Sequence, residues 1–142
     1  MNPRPPAGCA LTETCSRPLR INPQVERFGV AVLDMHTLHQ QDAHPSRAIC
    51  DFINAHVPQG AHVYLSVDLD ALDPAFAPGV SHHEPGGLST RELLAGIHGI
   101  RRDCPLVGAD VVEFNPARDV NGVTAMVAAK VAKEIIGKMQ LQ

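Results

Sequence analysis

The 142-residue chain has no tryptophan and a single tyrosine. Stacking surfaces for unpaired bases are therefore scarce, which argues against a single-stranded nucleic acid ligand. An excess of basic residues is also missing: 12 Lys and Arg stand against 15 Asp and Glu, a formal charge of −3. Without a basic stripe, duplex nucleic acid is an unsuited partner. No apolar run approaches the roughly 20 residues that cross a bilayer, and the N-terminus lacks the apolar centre of a secretory signal. Cys9, Cys15, Cys50 and Cys104 show no C-x-x-C spacing. They read as free thiols of a protein in a reducing cytoplasm, not as a zinc site or a disulfide framework. No internal repeat is visible, and 44% hydrophobic residues are enough for the core of one domain.

What is present is a strand–helix alternation. Residues 1–20 carry four prolines and no periodicity, and read as a disordered or loosely docked leader. Gly29 to Met35 is a short apolar run expected to be a strand, followed by a His- and Gln-rich connection. Pro45-Ser46 opens a helix with Ile49, Phe52 and Ile53 on one face, ending near Val57 before Pro58. Residues 62–68 alternate Val63, Leu65 and Val67 with Tyr64, Ser66 and Asp68, the period of a strand. Ser89 and Glu92 have capping-box spacing ahead of a helix through Leu93, Leu94 and Ile97. Leu106 to Phe114 reads as a buried strand carrying Asp110 and Glu113, ended by Asn115-Pro116. After Asp119 a long helix is expected, with Val123, Met126, Val127, Lys130, Val131 and Ile135 at helical spacing and its Ala- and Val-rich face read as core. The order β-α-β-α-β-α calls for one parallel sheet, with ligands beyond the carboxyl ends of its strands.

The chemistry concentrates in residues 62–87. If the extended conformation runs past Asp68, Asp68 and Asp70 share one face. Two neighbouring carboxylates are best tolerated across a hard divalent cation; the plainer reading is a solvated acidic turn. A calcium loop counted from Asp68 fails, because its sixth and twelfth positions are Asp73 and Gly79. A phosphatase-type D-x-D-x-T fails at Leu72. The D-x-D of a nucleotide-sugar enzyme leaves the later string GADVVEFNP unexplained. Glu113 by itself could be a strand-end ion pair. Asp110 is read as structural, and His82, His83 and Glu84 fit either a solvated loop or substrate recognition. Arg101-Arg102-Asp103 is expected to be an exposed loop.

The strings Ser66-Val67-Asp68-Leu69-Asp70, Leu72-Asp73-Pro74, Ala77-Pro78-Gly79, Gly86-Gly87-Leu88 and Gly108-Ala109-Asp110-Val111-Val112-Glu113-Phe114-Asn115-Pro116, in this order, resemble the ureohydrolase family, the arginases and agmatinases. The loop SHHEPGG and the segment NGVTAMVAAKVAKEI are most similar to its plant and bacterial arginase/agmatinase branch. The resemblance implies an α/β fold: a partial three-layer α-β-α arrangement with a mainly parallel sheet, the C-terminal half of an arginase-like fold. It implies an unrelated or disordered leader at 1–20 and a partial ureohydrolase domain at 21–142. It also implies hydrolysis of a guanidino compound, arginine or agmatine, to urea and an amine by two manganese ions bridged by hydroxide. On matching positions Asp68 would bridge both ions, Asp70 would bind one, and Glu113 would pair with the guanidinium, with His82, His83 and Glu84 as further substrate contacts. The expected partners are a small guanidino substrate and further copies of the chain, with neither nucleic acid nor membrane.

Two family segments that supply the other four metal ligands, of Gly-Gly-Asp-His and Asp-Ala-His-x-Asp type, have no counterpart at their places in this chain. No residue is assigned as proton shuttle. Asp42-Ala43-His44-Pro45-Ser46 imitates the second segment, but it ends in Ser46 and follows no apolar strand. Two carboxylates without a positioned histidine should hold manganese weakly. The chain alone is therefore expected to release no urea, and the alternative reading is an inactive fragment or an interaction subunit. Loss of early strands would leave a sheet edge unpaired, so self-association is expected.

Overall fold

The computed structural model describes residues 9–12, 27–40 and 42–141. Their elements run β1 (Cys9–Thr12), β2 (Ala31–Asp34), α1 (Met35–His39), α2 (Pro45–His56), β3 (Val63–Asp68), a 3-10 turn (Leu69–Ala71), α3 (Thr90–Gly99), β4 (Leu106–Val112), a second 3-10 turn (Pro116–Arg118) and α4 (Val123–Gln140). This is an α/β chain with parallel strand pairing, as expected. No helix among the described residues is long and apolar enough to cross a membrane.

The helix starts follow their capping residues. Ser89 accepts from the Glu92 N–H while the Glu92 carboxylate takes the Ser89 N–H at 2.7 Å, the reciprocal box that the spacing foretells. Pro45 occupies the first turn of α2, where a missing N–H costs nothing. His44 caps the same helix, its Nδ1 accepting from Ser46 N at 3.3 Å. The histidine of the Asp42–Ser46 imitation is thus a helix cap.

Several expectations change. One continuous sheet was anticipated; among the described residues β1 pairs with β2 and β3 with β4, each pair parallel, and no ladder joins the two. β1 lies within residues 1–20, read from the sequence as a disordered or unrelated leader, and its residues Cys9–Thr12 pair in parallel with β2. Four residues are too few to display a period, and the pairing with β2 that makes them a strand is non-local. The first apolar run is strand only over Ala31–Asp34. There the Asp34 carboxylate accepts from Thr37 N at 2.6 Å and starts α1, whose Met35 and Leu38 are buried one turn apart. The His- and Gln-rich connection is therefore partly helical.

The core is made as much by the loop after β3 as by regular elements. Ile49 of α2, Leu69 of the 3-10 turn, Ala77 and Val80 of the loop and Val131 of α4 are all fully buried. Buried apolar surface at roughly 25 cal/mol per Å² makes this loop a structural part of the domain. Arg101 also departs from the exposed reading. Its guanidinium donates to the carbonyls of Asn54 at 3.1 Å and Val57 at 2.8 Å, tying off the end of α2. β4 is less buried than read: Val107 is 59% exposed. α4 is two-faced, with Thr124, Val131 and Ile135 buried but Met126, Ile136 and Met139 exposed.

Candidate metal centre

β3 ends at Asp68, so the shared-face argument for Asp68 and Asp70 does not hold. Asp68 instead caps the 3-10 turn, its Oδ1 accepting from Asp70 N at 3.0 Å. The two carboxylates are neighbours because of that cap, while Leu69 between them turns into the core. Burial pushes the Asp70 carboxyl up to about 6, helped by a hydrogen bond and charge from Asp68 and by the charge of Glu113; His82 works in the opposite direction. A carboxyl raised by burial and by neighbouring acids marks Asp70 as a candidate functional group.

The loop from residue 72 to 88 is closed on itself and then pinned to β4. Leu72 and Leu88 form an isolated parallel bridge. Asp73 accepts from Ala75 N and Gly86 N, both at 2.8 Å. A Cβ at Gly87 would lie 2.7 Å from Asp73 N and 2.8 Å from Ala71 O, so only glycine lets these two segments meet. Gly79 N donates to the buried Thr124 hydroxyl at 2.6 Å, and its carbonyl accepts from Asn115 N at 2.8 Å. Asn115 Nδ2 reaches the Ser81 hydroxyl at 3.1 Å, and Arg118 donates to the Ser81 carbonyl at 3.0 Å. Asp119 in turn accepts from Thr124 N at 2.9 Å and Ala125 N at 3.0 Å, anchoring the start of α4.

These pins decide which loop residue faces β4. Ser81 is held by Asn115 and Arg118, so His82 is delivered opposite Glu113. Glu113 itself follows the last residue of β4 with φ of +63°, a left-handed conformation that costs a side-chain-bearing residue about 1–2 kcal/mol. One ligand atom each from Asp70, His82 and Glu113 lies within 4.8 Å of the others. Asp70 is half-buried; His82 and Glu113 are exposed.

Among the sequence candidates, the structure thus separates His82 from its neighbours. His83 Nε2 is engaged with the Pro78 carbonyl at 2.8 Å, and Glu84 is exposed and outside the group. Asp68 lies beside the group through Asp70 and is not one of its three members. Asp110 binds the Tyr64 hydroxyl at 3.0 Å, and its other oxygen is buried without a partner among the described residues. Sequence reading missed the positioning roles of Ser81, Asn115, Arg118 and Thr124. The Asn-Pro and Pro-Gly punctuation marked the turns, but nothing in it said which turns would bond to each other. An apolar cavity of about 300 Å³ lies between β3, α2 and α3, with Asp68 as its charged wall residue; it contains none of the three convergent ligands.

A model of the arginase family matches residues 17–137. The chain is 50% identical over 118 residues to the mitochondrial arginase 1 of Arabidopsis thaliana, covering 82% of this chain and 32% of that protein. It is 45% identical over 78 residues to an agmatinase of Halalkalibacterium halodurans, covering 54% of this chain and 27% of that protein. The solved proclavaminate amidino hydrolase from Streptomyces clavuligerus superposes with a TM-score of 0.75 at 34% identity, over 83% of this chain and 38% of that one. The chain spans about a third of the length of the curated relatives it matches.

Proposed function

The chain belongs to the arginase family, and from that premise we propose that it supplies the carboxylate part of a manganese-dependent ureohydrolase site. The reaction is hydrolysis of a guanidino compound, arginine or agmatine, to urea and an amine. The observation that carries this reading is the meeting of Asp70 and Glu113 at the carboxyl ends of β3 and β4. A guanidinium is a poor electrophile, and manganese, when bound, supplies hydroxide at neutral pH. The donor set fits such an ion: the half-buried carboxylates of Asp68 and Asp70, with the His82 imidazole near Asp70, suit manganese.

The chain's own residues divide the work. Asp68 and Asp70 hold cations, with Asp68 already orienting Asp70 through its backbone N–H. Glu113 accepts two parallel N–H bonds from the planar guanidinium, the arrangement that aligns the substrate carbon. Glu84, exposed on the same loop, is available to the far end of the substrate. His83 acts on loop shape through Pro78. The reduced thiol of Cys50 supports a cytoplasmic setting. Self-association belongs to the same proposal, supported by the exposed apolar residues of β4 and α4.

Because the chain spans about a third of its curated relatives, the test is complementation. The chain is mixed with a polypeptide carrying the remaining portion of an arginase, and urea release from arginine and agmatine is followed with manganese present. Urea that depends on both polypeptides, and is abolished by Asp70→Asn and by Glu113→Gln, is expected. Turnover that survives both substitutions refutes the reading, as does a folded complex that releases no urea.

A further inference from the structure

We infer that this chain by itself holds one divalent first-row cation through Asp70, His82 and Glu113, a site of two carboxylates and one histidine. This deepens the ureohydrolase reading only in sharing Asp70; the ion-binding claim stands on the convergence of three side chains. Reading the sequence as two carboxylates without a positioned histidine predicts weak, adventitious binding. The structure supplies the histidine.

Three ligand atoms within 4.8 Å of one another nearly fit around one ion. Bonds of roughly 2.0–2.2 Å put the ligands of one ion at most about 4.4 Å apart. Rotation of the exposed His82 and Glu113 side chains is enough to close that difference. Two oxygens and one nitrogen suit manganese, cobalt or zinc. The three residues come from three separate segments, and each is held from behind. Asp70 is set by the Asp68 cap. His82 is set by the Ser81 bonds to Asn115 and Arg118. Glu113 is set by a left-handed backbone followed at once by Asn115 N donating to Gly79 O. Such backing is what keeps a metal site from dissolving into separate solvated side chains. In a completed ureohydrolase site Glu113 faces the guanidinium; in this chain alone it closes the coordination of the ion.

The test is titration of the full chain with Mn²⁺, following the free ion by electron paramagnetic resonance and the bound ion by electron spin-echo modulation. One ion per chain is expected, with nitrogen modulation from a directly bound imidazole. His82→Ala should remove that modulation and weaken binding at least tenfold, as should Glu113→Gln. His62→Ala, at the opposite end of β3 about 16–20 Å away, should leave binding within twofold. Binding that ignores His82 and Glu113 but falls with Asp68→Asn overturns the inference while leaving the proposed function intact. Wild-type chain with bound manganese but no nitrogen modulation overturns it without recourse to any variant. Absence of binding at millimolar Mn²⁺ also overturns it. Loss of urea in the complementation assay, with the one-ion site intact, counts against the function alone.

Discussion

Replacing Glu113 by glycine should stabilise the fold while destroying the site. Glu113 has φ of +63°, where a residue with a Cβ is strained by about 1–2 kcal/mol. Glycine removes that strain. It also gains freedom in the unfolded chain, which offsets about 0.4–1 kcal/mol. The net expectation is a gain of roughly 0–1.5 kcal/mol, centred near 0.8, or about 2–4 °C in Tm for a chain of this size. Glu113→Ala separates backbone from side chain: it deletes the carboxylate but keeps the strain, so its stability should stay close to wild type. Val107→Gly, in the exposed part of β4, is the opposing control and should lose about 0.5–1 kcal/mol. Urea unfolding followed by circular dichroism reads all three through the midpoint at constant slope. A glycine variant less stable than the alanine variant refutes the reasoning. It would mean that the left-handed geometry at 113 is not strained, or that the side chain contributes packing that outweighs the strain. The manganese titration on the same proteins should show both variants defective, which would place residue 113 among those where stability and function pull apart.

Thr124 is fully buried and its hydroxyl takes the Gly79 N–H, so Thr124→Val should leave a buried donor unpaired and cost about 1–3 kcal/mol; Thr124→Ser should recover most of that, as read by urea midpoints. Glu134 is paired with Lys130 and His98, and these partners hold its carboxyl down at about 2, below its ordinary 4.5. A depressed acid contributes stability above its unfolded value and loses it as the pH falls through the folded one. Glu134→Gln should therefore flatten the decline in Tm between about pH 4.5 and 2, and an unchanged acid limb would refute the pairing. The β3–β4 pair has no further strand on it among the described residues, and Val107, Met126, Ile136 and Met139 are exposed. Light scattering at micromolar concentration should show oligomers or aggregates, and a monodisperse monomer with a sharp unfolding transition would contradict that expectation.

Much of this protein was legible from neighbours in the chain. The alternation Val63-Tyr64-Leu65-Ser66-Val67 specifies β3, the Ser89–Glu92 spacing specifies the start of α3, and Pro45 and Asn115-Pro116 mark where helix or strand must begin or stop. Each of these depends on hydrogen bonds and packing within a few residues, which is why period and punctuation reveal them. The strings around Asp68 and Glu113 also pointed to the family, and the arginase-family match over residues 17–137 takes in both.

Tertiary structure decided what those residues can do together. Asp68 and Asp70 are neighbours through a capped 3-10 turn, which an alternation rule cannot foresee because it presumes that the strand continues. His82, and not His83 or Glu84, meets Glu113, because Asn115 and Arg118 grip Ser81 from a segment remote in sequence. The left-handed turn at Glu113 carries no local signal, as glutamate has no preference for it. The division has one physical cause. Local hydrogen bonding is written in adjacent residues, whereas the path of a long loop is set by the distant backbone groups that satisfy it. The sequence by itself determined the chemical identity of the site's acids; the fold of the loop determined that a histidine joins them.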